Sequence, residues 1–152
     1  RGLVQAQDHL GELYEHGDLG QTDWRSAVMW YSRAAEQGFP AAQYHLGLMY
    51  ALGRGVAFNQ SKVNYWWLQA AKQGNVHAQS NMGIVFMEGR GLARNLSAAA
   101  HWFVEAAKQG HGDSALAAAS LYDSQSLGGG DVHAPAQNET EAARWYEVAA
   151  TA

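Results

Sequence analysis

Apolar positions along this chain recur in two alternating patterns. In the first, Ala42, Leu46, Met49 and Tyr50 fall at i, i+4, i+7 and i+8, one face of a helix. In the second, Ala27, Trp30, Tyr31, Ala34 and Ala35 fall at i, i+3, i+4, i+7 and i+8, again a single helical face. The spacing predicts pairs of short amphipathic helices, here termed helix A and helix B.

The pairs repeat. Leu10-Gly11 with Tyr14 returns as Leu46-Gly47 with Tyr50 and as Met82-Gly83 with Phe86, and more weakly as Ala118-Ala119 with Tyr122. The aromatic positions 14, 50, 86 and 122 are 36 residues apart. Helix B keeps the step: Trp30-Tyr31 with Ala34-Ala35, then Trp66-Trp67 with Ala70-Ala71, then Trp102-Phe103 with Ala106-Ala107. The last copy, Trp145-Tyr146 with Ala149-Ala150, follows after 43 residues. The fourth unit therefore carries an insertion at about Ser124 to Gln137, rich in glycine, that reads as a surface loop or a partner-contacting one.

Punctuation agrees with the periodicity. Gly38, Gly74 and Gly110 follow the B helices, and Lys72 and Lys108 sit in their last turns. Asp23, Asn59, Asn95 and Asn138 stand where N-caps belong. Gly53-Arg54-Gly55 and Gly89-Arg90-Gly91 mark the turns from A to B. The glycine of the Leu-Gly pair predicts a close approach of two helices, with the large rings, Trp66 and Trp102 among them, filling the core beside it. The expected fold is all-α, a solenoid of four helix-turn-helix units in one domain over residues 1–152. The units run approximately 3–38, 39–74, 75–110 and 111–152.

These residues resemble a known family. The second unit carries Leu46, Gly47, Tyr50, Gly53, Gly55, Val56, Asn59, Trp66, Ala70, Ala71 and Gly74, a pattern similar to the Sel1-like repeat. The first unit departs at Gly17-Asp18-Leu19-Gly20, and the fourth lacks the Leu-Gly pair. The resemblance, a relative of tetratricopeptide repeats, implies antiparallel helix pairs stacked in a right-handed superhelix. It also implies a scaffold or adaptor role, with the A helices lining the concave face.

By that alignment, the partner-binding candidates are Asp8, Glu12 and Glu15 in the first unit, Tyr44, Leu48 and Leu52 in the second, and Ser80, Ile84 and Met87 in the third. The middle of this set is apolar, an interaction signal when exposed. The competing reading buries those side chains between neighbouring A helices and leaves an architectural spacer with no ligand in the groove. Arg1-Gly2-Leu3 aligns with the junction Gln37-Gly38-Phe39, so the chain is expected to be part of a longer array or to pair end to end.

Charge narrows the partner. The net charge is −4, which argues against nucleic acid. It is distributed as −3 over residues 1–36, +4 over 37–110 and −5 over 111–152. A protein or peptide with an apolar anchor and some basic residues is the expected partner. No apolar run reaches the roughly 18–20 residues of a membrane span. Cytoplasmic, periplasmic and secreted settings all remain open.

Candidate chemistry is sparse. The chain has no cysteine, whereas the family members proposed as β-lactamases are cysteine-rich. No nucleophile elbow or phosphate loop is present. Seven histidines form no His-x-x-x-His pair. His9 and His45 stand at equivalent positions beside the Leu-Gly pair and read as packing residues. No catalytic residue, metal or cofactor is expected; a small hydrolase or ligand binder is a remote alternative. Asn59, Asn95 and Asn138 match the glycosylation sequon, but their shared repeat position points first to helix capping.

Overall fold

The computed structural model describes residues 2–123 and 138–152. Among these, every regular element is a helix: α1 (Gly2–His16), α2 (Trp24–Glu36), α3 (Pro40–Leu52), α4 (Gln60–Lys72), α5 (Val76–Glu88), α6 (Leu96–Ala107), α7 (Gly112–Tyr122) and α8 (Glu139–Thr151). Odd-numbered helices are the A helices and even-numbered ones the B helices. The expected insertion at about 124–137 lies outside the described residues. The helices form two compact units, Arg1–Asn75 and Val76–Ala152.

The ends of the helices obey the predicted chemistry. Asp23, Asn59, Asn95 and Asn138 each accept a backbone N–H from the first turn of their B helix, at 2.9–3.1 Å. Each cap also donates its own N–H to the carbonyl of Tyr14, Tyr50, Phe86 or Tyr122, the aromatic in the last turn of the preceding A helix. The fourth of these bonds, Asn138 to Tyr122 at 3.1 Å, closes the last unit across its insertion. At the other end, paired backbone bonds such as Phe39 N–H to Ala34 O and Gly38 N–H to Ala35 O wrap the B-helix terminus. Gly38, Gly74 and Gly110 hold φ of +85°, +88° and +87° there.

The core sits where A meets B. A Cβ built on Gly11 would lie 2.5 Å from the Tyr31 ring, on Gly47 2.3 Å from Trp67, and on Gly83 2.5 Å from Phe103. The ring thus lies directly on the glycine backbone. Tyr31, Trp67 and Phe103 are the second members of their aromatic pairs and are buried; Trp30, Trp66 and Trp102 are half-buried at the edge of the same face. One residue turns a helix by about 100°, so only one ring of a pair can point at the glycine. Each such ring removes roughly 150–250 Å² from water, at most about 4–6 kcal/mol.

The fourth unit supports this account by exception. Ala119 replaces the glycine, and its Cβ takes the space. There Trp145, the first ring of the pair, is 3% exposed, while Tyr146 is 37% exposed and donates to Asp123 at 3.3 Å. Trp145 joins Ala115, Ala118, Ala119 and Phe103 in the core of the compact unit Val76–Ala152. In the first unit the core gathers Ala27, Tyr31, Ala34, Leu46 and Met49, with Trp66 packed against it.

A repeated polar bridge reinforces the pairs. Gln37, Gln73 and Gln109 donate to Gln7, Gln43 and Gln79 at 2.7, 2.8 and 2.8 Å. Each bridge ties the end of a B helix to its own A helix, and both glutamines step by 36 residues.

Gly47→Ala should cost about 1–3 kcal/mol in urea unfolding, the usual range for overpacking. In a Trp67→Leu background the same substitution should cost clearly less, because the two side chains compete for one volume. Equal penalties in both backgrounds would show that the ring does not fill the glycine notch.

Candidate partner-binding site on the A helices

The first unit concentrates its polar chemistry on one A-helix face. Asp8, Glu12 and Glu15 fall at i, i+4 and i+7 on α1. Asp8 is only 7% exposed. Its Oδ1 lies 3.0 Å from Nδ1 of His45 on α3. Tyr31 reaches from α2 and donates its hydroxyl to Glu15 Oε2 at 2.8 Å. The Tyr31 and His45 rings stand 4.9 Å apart, and those of Tyr44 and His45 5.7 Å apart. Arg54, from the turn after α3, approaches Glu15 at 3.8 Å and also lies over the Trp24 ring. At the rim, the exposed His9 meets Glu12 at 3.0 Å.

The carboxylates of Asp8 and Glu12 repel one another. Ligand-type atoms of Asp8, Glu12 and His45 lie within 4.8 Å of each other. At that separation two carboxylates cost about 3 kcal/mol at an effective dielectric of about 20. His45 offsets part of this. Burial of the ring pulls its pKa down, but the hydrogen bond to Asp8 and the charges of Asp8, Glu12 and Glu15 outweigh burial, so the net shift is upward. Burial pushes the Tyr31 hydroxyl strongly up, and its bond to Glu15 adds to the effect, so it remains a donor. Burial also raises Tyr44.

Asp8, Glu12 and His45 carry the donor types that suit a divalent cation. However, the imidazole Nδ1 and Asp8 Oδ1 are already spent on each other. An open concavity of about 520 Å³ lies elsewhere, between the A-to-B turns, lined by Thr22, Trp24, Arg25, Gly53 and Val56.

The remaining candidates divide between the two units. In the compact unit Arg1–Asn75, Tyr44 and Leu48 are half-buried, and Leu52 is 55% exposed. Tyr44, Leu48 and Leu52 follow each other at i, i+4 and i+8 along α3. In the compact unit Val76–Ala152, Ser80, Ile84 and Met87 lie on α5, all half-buried, and Ile84 and Met87 pack against its core. The packing roles expected of His9 and His45 are not what the structure shows: His9 is exposed, and His45 pairs with Asp8 while Tyr31, a core ring, also donates to Glu15. For His45 the signal in the sequence is a register: it stands one residue past the 36-residue step from Asp8. The His111 ring accepts from Ser114 N–H at 3.2 Å and caps α7.

The Sel1 repeat family model matches residues 4–39, 40–75, 76–111 and 127–152. The chain belongs to the Sel1 repeat family. Among solved structures it is similar to a protective antigen of uropathogenic Escherichia coli with an SLR fold. That likeness has 36% identity and a TM-score of 0.86, over 99% of this chain and 31% of the other. It is also similar to a Sel1 repeat protein from Oxalobacter formigenes, at 30% identity and a TM-score of 0.85, over 97% of this chain and 56% of the other. A Pseudomonas aeruginosa protein at 18% identity and a TM-score of 0.57 shares the fold, over 97% of this chain and 68% of that one. The chain thus spans about a third and just over half of the first two relatives. No curated protein sequence matches it.

Sel1 repeat proteins are generally protein-interaction scaffolds, and the repeat itself is a non-catalytic scaffold. Among the described residues, no helix of this Sel1 repeat protein is long and apolar enough to cross a membrane.

The raised pKa of His45 has a consequence for stability. An unfolded imidazole titrates near about 6.5. A folded value above that means the bond to Asp8 contributes fully below this pH and is lost as pH rises through the folded value. The stability difference between the parent and His45→Gln should therefore be largest near about pH 5.5 and shrink towards pH 8. Chemical denaturation across that range measures it. A difference that does not vary with pH would show that His45 carries no added proton in the pair.

Proposed function

We propose that this Sel1 repeat protein is a scaffold or adaptor that docks a protein or peptide partner on its A-helix face, the concave face of the array. The observation that carries the reading is the first unit. There an apolar strip, Tyr44, Leu48 and Leu52, runs along α3, and three carboxylates stand on the neighbouring A helix. An apolar patch with a polar rim is the usual anatomy of an interaction surface. The family's general role as a protein-interaction scaffold supports the same reading. The repeat step sets Asp8 and Glu12 at the positions that Tyr44 and Leu48 occupy one unit later, so polar and apolar columns lie side by side.

A second reading has its own observation. Ile84 and Met87 lean on the core of the second unit, which supports an architectural role for that part of the chain. The first unit then carries the docking, and the second carries the stacking.

A photo-crosslinking residue at Leu52 should capture a discrete partner in the native host, identifiable by mass spectrometry. The same residue at the exposed Ser61 on α4 should not. Leu48→Glu should abolish the Leu52 capture while leaving the helical circular dichroism unchanged. Identical capture from both positions, or capture indifferent to Leu48→Glu, would remove the A-helix face as the docking surface.

A further inference from the structure

Helix α1 carries an uncovered copy of a surface that is core elsewhere in the chain. On α3, Ala42, Leu46 and Met49 are buried, and so are Ala78, Met82 and Val85 at the same positions of α5. One 36-residue step before α3, these positions are Ala6, Leu10 and Leu13 of α1. Ala6 is exposed, and Leu10 and Leu13 are only half-buried. Leu3, which aligns with Phe39, is 70% exposed.

Helix α8 shows the converse among the B helices. Ala35, Ala71 and Ala107, the second alanines of their pairs, are buried. Their counterpart Ala150 is exposed, and Ala149 is half-buried where Ala34, Ala70 and Ala106 are fully covered. A concavity of about 400 Å³ opens beside this pair, with Leu116, Ala149 and Ala152 in its wall. Ala149 is the counterpart of Ala34, whose carbonyl accepts the N–H of Phe39 while the Phe39 side chain packs on the core. The concavity therefore adjoins the residue beside which, at α2, Phe39 is seated.

The two surfaces are the halves of one interface that the chain also makes internally. Between α2 and α3, Ala34 and Ala35 share a core with Ala42, Leu46 and Met49. Helix α8 offers the alanine half, which lets a second backbone come close. Helix α1 offers the leucine half, which fills space. Charge plays no part in the match, because α1 has no lysine or arginine to meet Asp113 at the concavity. The fit is apolar, and burial of apolar surface drives it.

We propose that this chain associates head to tail: α8 of one molecule packs on α1 of a second copy. Ala149 and Ala150 then meet Ala6, Leu10 and Leu13, and Leu3 enters the concavity. The contact is that of α2 with α3, repeated between molecules. It joins two different surfaces, so assembly closes into a ring or continues by further addition.

Sedimentation velocity over a roughly hundredfold range of protein concentration reads the association, which follows mass action. The average mass of the parent should rise with concentration. Ala6→Glu and Ala150→Glu each place a charge in one half of the contact, where burial would strip it of water. Both positions are exposed in the single molecule, so the helical circular dichroism should not change. Each variant alone should stay monomeric. Mixed in equal amounts, the two should form a one-to-one dimer and nothing larger, since Ala6→Glu keeps its α8 surface and Ala150→Glu its α1 surface. A parent that is monomeric at every concentration overturns the proposal. So does association that survives either substitution, or a mixture of the variants that remains monomeric.

Discussion

In each of the first three units a ring from helix B lies on the bare backbone of a glycine in helix A. The rest of the structure hangs on that contact. It brings the two helices close enough for the glutamine bridges, such as Gln73 to Gln43, to span them. It also brings the end of each A helix within reach of the next N-cap, so that the carbonyls of Tyr14, Tyr50 and Phe86 accept the N–H of Asp23, Asn59 and Asn95. Where Ala119 fills the notch, the ring that should occupy it turns outward and the other ring of the pair takes over the core. The unit still forms, because the cap bond from Asn138 to Tyr122 does not depend on the ring.

The same contact gives the candidate site its form. Tyr31 is the ring that fills the Gly11 notch, and its hydroxyl emerges on the far side to meet Glu15. Packing and polar chemistry thus share one side chain. The core fixes where the hydroxyl stands, and the hydroxyl holds one carboxylate of the face. His45 plays the matching part from α3, with its ring beside Tyr31 and its nitrogen on Asp8.

The two units differ in what they offer. In the first, charged and apolar residues stand in adjacent columns, and part of the apolar strip remains open. In the second, the equivalent positions carry Ser80, Ile84 and Met87, and the two larger side chains are drawn towards the core. A repeat array can vary from repeat to repeat in this manner because each repeat contacts only its neighbours. The outward positions of its A helix are left free for other uses.

Much of this was legible in the sequence, for a physical reason. Helix faces, caps and the repeat step are local patterns, set by 3.6-residue periodicity and by the backbone chemistry of helix ends. The 36-residue recurrence of Tyr14, Tyr50, Phe86 and Tyr122, and of Asp23 and the three asparagines, is enough to establish four helix pairs. The glycine of the Leu-Gly pair even announced a close contact. What the sequence did not decide was which ring of each pair would enter the notch, since that depends on the rotation of helix B against helix A. Nor did it show the meeting of Asp8 with His45 or of Tyr31 with Glu15. Those pairs are 37 and 16 residues apart and come together only once neighbouring helices are packed. Periodicity determined the scaffold; the distances between helices, which no local pattern encodes, decided its chemistry.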